Sequence, residues 1–249
     1  MKTSTPVIFV HGLMGTLQVP DLLRYFDPGR ALTPDLLGYG SLSDVPPSDI
    51  SIPAQVAHLR ETVERNFGSE PIHVVGHSVG GVVAALFAHA FTGRVKGLVS
   101  VEGNFTLKDA FWSSSVARMS QAEADQMLSE FRQDPTAWLA RSGIAPEPHF
   151  LEAGIRWLAH QPASTVRAMA QSVVNKTGSP EYLQKLRSVF AQHPVHLIAG
   201  ERSCPGWDVQ DWARRGAASF TVIPNTGHMM MLENPAEFAT VVRNLLHET

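Results

Sequence analysis

Short apolar runs of strand length recur along the chain at Val7–Val10, Ile72–Val75, Val95–Val101, Val195–Ala199 and Ser219–Ile223. They are apolar rather than alternating, as strands covered on both faces should be. A weaker run, Arg30–Thr33, precedes "PDLLGYG". Between most of them lie helix-length segments with apolar residues three and four apart. "IPAQVAHLRETVERNF" places Ile52, Val56, Leu59, Val63 and Phe67 on one face, with Arg60, Glu61 and Glu64 elsewhere. Strands alternating with helices predict an α/β fold: a mostly parallel, doubly wound sheet with helices on both faces. With 249 residues, 44 % of them apolar, the chain can fill the core of one large domain or of a domain carrying an insertion.

One gap breaks the alternation. From Gly103 to Pro194 no convincing strand is visible, only amphipathic helical segments separated by Pro and Gly. They are Gln121–Gln133, Pro135–Arg141, Pro148–His160, Pro162–Lys176 and Pro180–Gln192. The expected organisation is therefore a core of residues 1–102 and 195–249 with an inserted all-helical domain at 103–194.

Net charge is −3 with both signs mixed throughout, so neither a nucleic acid nor an anionic membrane is indicated as a partner. Cys204 is the only cysteine, which excludes an internal disulfide and a thiolate cluster. No His, Asp or Glu cluster has the spacing of metal ligands, so no metal is expected. No run is long enough to span a membrane, and the amino-terminal stretch does not resemble a signal peptide, so a cytoplasmic location is expected. Nothing in the sequence specifies an oligomeric state.

The stretch "VVGHSVGGVVAALFAHA", Val74–Ala90, sets a serine between glycines where a strand-like run gives way to a helix-like one. In a parallel sheet, functional groups gather outside the carboxyl ends of strands. A very tight turn there forces its apical residue into a strained conformation and projects the side chain outward. Gly76 and Gly80 remove the side chains that would collide in it. Ser78 is thereby presented as a nucleophile at a helix start, where the helix dipole and the Val79 amide favour developing negative charge.

A serine hydroxyl near neutral pH needs a base. Of 11 histidines, His58 and His89 read as helix-surface or core-edge residues, and His149, His160 and His247 lie on helical segments. His193 and His196 flank a strand start, His73 points into the sheet, and His77 belongs to the tight turn. His228 differs. "FTVIPNTGHMMMLENPAEF" reads as strand, turn-rich loop and a helix opened by Pro235, which puts His228 at another strand's carboxyl end. Acyl transfer also needs donors for an oxyanion. "VIFVHGLMGT" ends the first strand in a glycine turn whose Leu13 amide can pair with that of Val79, although an ordinary glycine turn would read alike.

"HGLMGT", "PDLLGYGSL", "GHSVGG" and "NTGHMMMLENP" together resemble, in order and spacing, the motifs of the α/β-hydrolase fold superfamily. The resemblance covers the whole chain, with Gly103–Pro194 falling where such proteins carry a helical cap. It implies a Ser–His–acid triad, an oxyanion hole from Leu13 and Val79, and no cofactor. One feature departs from the common pattern. Family members usually carry Asp in a "G-x-x-D" setting after the strand that follows the cap, and here "IAGERSCPGWD" has Ser203 in that place. Asp208 is several residues late. The other strand end, "GLVSVEGNF", resembles the subset, haloalkane dehalogenases among them, whose acid closes the strand after the nucleophile helix. A right-handed crossover from Ser78 returns Glu102 beside the nucleophile strand. Glu102 is the preferred acid, Asp208 the alternative, and Glu201 a distant third.

Ser78 in place of Asp argues against dehalogenase or epoxide hydrolase chemistry and for an acyl-enzyme on a small-molecule ester. Between Gly103 and Pro194 lie Phe105, Phe111, Trp112, Met119, Met127, Phe131, Trp138, Phe150 and Trp157. Several of these, Trp112 and Trp138 foremost, are expected to line an apolar cleft. The expected activity is hydrolysis of esters of small hydrophobic acids. Carbon–carbon bond hydrolase, lactonase and acyltransferase activities are alternatives, as is a ligand receptor or binding protein on a hydrolase scaffold.

Overall fold

The computed structural model describes residues 4–247. Six parallel strands form one sheet: β1 Val7–Val10, β2 Ala31–Leu32, β3 Ile72–His77, β4 Val95–Val101, β5 Val195–Gly200 and β6 Ser219–Ile223. Their order is β2-β1-β3-β4-β5-β6. The winding reverses between β1 and β3, the place where open α/β sheets form their functional crevice.

Successive residues of a strand face opposite sides, and both sides are covered. Ile8, Val10, Val74 and Leu98 enter one apolar core, while Phe9, Val75 and Val99 enter the other. Edge strand β6 departs from this, being only partly buried, with Val222 exposed. The weak run at Arg30–Thr33 contributes only Ala31 and Leu32 to the sheet, at its other edge.

Helix Ile52–Phe67 begins where the Ser51 side chain accepts from the Ala54 amide, satisfying an end donor that the helix itself leaves unpaired. Ile52, Leu59, Val63 and Phe67 are buried as the periodicity predicts, each contributing roughly 1.5–3 kcal/mol. Val56 is only partly buried. Gln55 is buried beside it, because its amide bonds both the N–H and the carbonyl of Leu37.

Between β4 and β5 lie helices Phe111–Arg118, Gln121–Gln133, Pro135–Arg141, Pro148–Ala159, Ala163–Thr177 and Pro180–Gln192. Ser120 and Glu123 form a reciprocal capping box at the second, and Asp134 caps the third. Helices Gln121–Gln133, Pro135–Arg141 and Pro148–Ala159 pack on one another. Pro180–Gln192 lies against helix Val79–Ala90 in the layer that covers the sheet. Among the described residues, no helix is long and apolar enough to cross a membrane.

Candidate active site

Ser78 follows β3 and sits at the start of helix Val79–Ala90 with φ 53° and ψ −122°. Such a conformation in a non-glycine residue costs on the order of 1–3 kcal/mol and persists only where its surroundings enforce it. Here they do. A side chain on Gly80 would lie 2.3 Å from the Val10 carbonyl oxygen, and one on Gly76 would lie 2.5 Å from that of Gly80. The helix therefore starts against the end of β1, and the reversal can be completed in one residue. The helix also meets the turn beyond β4 glycine to glycine: a Cβ on Gly81 would stand 2.7 Å from the Gly103 Cα.

Glu102 closes β4 with φ 43°, a second strained residue at the same edge of the sheet. Its amide continues the ladder to the Ile198 carbonyl, as the Ser78 amide does to Val101. The carboxylate is buried and fully engaged. Oε2 accepts from His228 Nδ1 at 2.5 Å, and Oε1 accepts from the Gly200 amide at 2.9 Å and from Ser203 Oγ at 2.5 Å. Burial pushes this carboxyl up, but the bonds from His228, Ser203 and Gly200 outweigh it and hold the group below its ordinary range. An ionised acceptor puts the proton on Nδ1 and leaves Nε2 of His228 as the free base.

His228 comes from beyond β6, two strands from Glu102. Its loop reaches back because β5 ends in glycine: a Cβ on Gly200 would lie 2.3 Å from the Gly227 carbonyl oxygen. The Arg202 amide donates to the Thr226 carbonyl, and Glu233 accepts from the Gly227 amide, which pins the loop on both sides of the crossing. His77, buried beside Ser78, bonds the His228 carbonyl through Nε2 at 2.9 Å, with the two rings 4.6 Å apart. Burial, with the neighbouring His228, holds His77 well below the ordinary imidazole range, so it is neutral and its Nε2–H is the donor.

The other candidate acids are occupied elsewhere. Asp208 accepts from Thr106 Oγ1 at 2.8 Å and lies 3.8 Å from Lys108 Nζ, while its amide donates to Asp109. It ties the loop after β5 to the loop after β4. Glu201 accepts from the Asn225 amide. Neither approaches His228 within hydrogen-bonding reach. Ser203, in the place where the family usually carries Asp, donates to Glu102.

Ser78, Glu102 and His228 line one cavity of about 590 Å³, together with Gly12 and Leu13. Tyr39 Oη donates to the Leu13 carbonyl, which fixes the orientation of that peptide group. Val79 is the first residue of its helix, so its N–H has no acceptor within the helix. Rings of Trp112, Phe131, Trp138 and Trp157 make most of the wall apolar. Phe111 also borders the cavity, although much of it faces solvent. Phe105 packs instead on Phe190 and Trp207. Met119, Met127 and Phe150 pack against the apolar cores.

Parallel order, tight serine turn and helix-covered sheet define an α/β hydrolase. Residues 7–241 match the model of the alpha/beta hydrolase family, and the chain belongs to that family. It is 28 % identical over 139 residues to Lipase 3 of Moraxella sp., an alignment covering 53 % of this chain and 42 % of that protein. The matched stretches span 42 % of the length of that lipase and 34 % of that of Lipase 1 of Psychrobacter immobilis, so the chain covers less than half of these relatives. It is 26 % identical over 248 residues to 2-succinyl-6-hydroxy-2,4-cyclohexadiene-1-carboxylate synthase of Klebsiella pneumoniae, covering 96 % of this chain and 93 % of that one. Among solved structures, it superposes on a thermophilic esterase from Thermogutta terrifontis with a TM-score of 0.73 at 22 % identity, covering 100 % and 91 % of the two chains.

Proposed function

We propose that the protein is a serine hydrolase that cleaves esters of small hydrophobic acids through an acyl-enzyme on Ser78. The observation behind this reading is the Glu102–His228 hydrogen bond in the cavity that Ser78 also lines. In the proposed reaction, Ser78 Oγ attacks the ester carbonyl carbon while His228 Nε2 takes the hydroxyl proton. The Leu13 and Val79 amides hold the resulting oxyanion. Collapse breaks the bond to the alkoxy oxygen, which leaves with the proton from His228. Water then attacks the acyl-enzyme by the same route and frees Ser78. Glu102 keeps the imidazole in the working tautomer and stabilises the imidazolium. The apolar rings favour hydrophobic acyl or alkoxy groups, and a cavity of about 590 Å³ has room for a small-molecule ester.

Similarity over nearly the full length of the Klebsiella synthase favours a second reading, a carbon–carbon bond hydrolase on the same residues. A panel of p-nitrophenyl esters of increasing acyl length separates the two. The ester reading expects turnover that is greatest for short chains. No turnover on any ester would reject it.

A further inference from the structure

Asn104 stands two residues beyond Glu102, is 4 % exposed, and lines the same cavity. Its Oδ1 is buried with no hydrogen-bond partner among the described residues. The large majority of buried polar side-chain atoms in folded proteins are paired, and leaving one unpaired costs about 1–3 kcal/mol. Its backbone is held firmly. Trp207 Nε1 donates to the Gly103 carbonyl at 2.8 Å, Tyr182 Oη donates to the Asn104 carbonyl at 2.8 Å, and the Phe105 amide donates to Asp109 at 2.8 Å. Three bonds within three residues fix where the side chain is presented, yet the side-chain oxygen goes unused. Elsewhere the cavity wall is mostly apolar, with Asp109, Ser113, Arg141 and Ser142 as its other polar side chains away from Ser78, Glu102, Ser203 and the histidines.

We propose that Asn104 is a substrate-binding residue, and that the preferred ester bears one hydrogen-bond donor, a hydroxyl, remote from the scissile carbonyl on an acyl or alkoxy chain. This rests on the ester reading above. The unpaired atom is an acceptor, so its partner must be a donor, which a hydroxyl supplies and a ketone does not. A site that holds a polar group for its ligand discriminates strongly against an analogue lacking the partner, because the buried group is then left unpaired.

The test uses matched p-nitrophenyl and alkyl esters in which a hydroxyl is moved along the acyl or alkoxy chain, each paired with its methyl-branched isostere. For at least one position, kcat/KM for the hydroxy ester should exceed that of its isostere by about tenfold or more. In Asn104→Leu, or in Asn104→Ala should the leucine variant fold poorly, that ratio should collapse toward one. Dissociation constants of the same pairs in Ser78→Ala and in Ser78→Ala/Asn104→Leu make the result independent of turnover. A binding ratio that depends on Asn104, without hydrolysis by the wild type, would reject the ester reading and keep the Asn104 assignment. A ratio near one at every position would overturn that assignment. Such a result would leave Asn104 to an internal water in the adjoining cavity of about 10 Å³ that it lines with Ser100. A ratio that survives the substitution would overturn it equally.

Discussion

Ser203 Oγ donates to Glu102 Oε1 across the ends of two neighbouring strands, at 2.5 Å. The bond leaves Oε2 to His228 and helps keep the carboxylate ionised in spite of its burial. Replacing Ser203 with Ala should raise the Glu102 pKa and leave one lone pair unsatisfied. We expect a moderate loss, about threefold to thirtyfold in kcat, for removal of one charge-assisted bond. Ser203→Asp should be more damaging, since a second carboxylate at this distance favours a shared proton over two charges. A pH–rate profile for each variant, compared with that of the wild type, checks both expectations. An aspartate variant more active than the alanine one would contradict them.

Loss of the proposed nucleophile should be far more severe. Ser78→Ala should lower ester turnover on the order of a thousandfold or more while the melting temperature holds, since alanine removes only the hydroxyl. A fluorophosphonate should label Ser78 in the wild type, read by peptide mass mapping. Label found only elsewhere would refute the nucleophile.

Glu102 and Asp208 separate cleanly. Glu102→Gln should cost roughly two to four orders of magnitude in kcat, and Asp208→Asn less than about tenfold. The latter should show its effect in unfolding, because Asp208 ties two loops through Thr106 and Lys108. Steady-state kinetics beside urea denaturation would show whether the two effects fall in this order.

The buried histidines set a pH dependence of stability. Burial lowers His11 and His73 to about 4 and carries His77 well below its ordinary value. Each is neutral in the fold and protonates near 6.5 once unfolded, so the unfolded state takes up more protons below that pH. Stability is therefore complete above about 6.5 and falls as the pH drops toward 4, by up to about 1.4 kcal/mol per pH unit for each histidine. Urea denaturation at a series of pH values should show this slope. A flat profile between 6.5 and 4.5 would mean that these rings are not held neutral.

Trp112 and Trp138 border the cavity. Changing either to Ala should shift acyl-chain preference more than it lowers activity on acetate esters, measured as kcat/KM across chain length. Uniform loss with a lowered melting temperature would show that the rings serve packing alone.

Much of the core could be read from periodicity, because strands buried on both faces leave apolar runs bounded by turn residues. β1, β4 and β6 have the predicted bounds, and β3 runs on to His77 and β5 to Gly200. Helices Gln121–Gln133, Pro135–Arg141 and Pro180–Gln192 also keep theirs, where Ser120, Asp134 and Ser179 supply caps. Phe111–Arg118 escapes such reading. Three consecutive serines favour no helix, and it is tertiary packing against Ala163–Thr177 that makes one. In the site, Ser78 and His228 are marked by their neighbours in the chain. What Ser203, His77 and Asn104 do depends on strands that meet only in space. The one local hint for Asn104 is its place two residues past Glu102.

The contact of Gly81 with Gly103 bears on precision. Attractive bonds stretch at little cost, whereas repulsion between touching atoms rises steeply with approach. The Ser78 helix and the Glu102 turn meet bare backbone to bare backbone. Their separation thus has a floor set by atomic radii, and serine and carboxylate are seated against a common mechanical stop. Warming that loosens the polar bonds around them leaves that limit of closest approach unchanged.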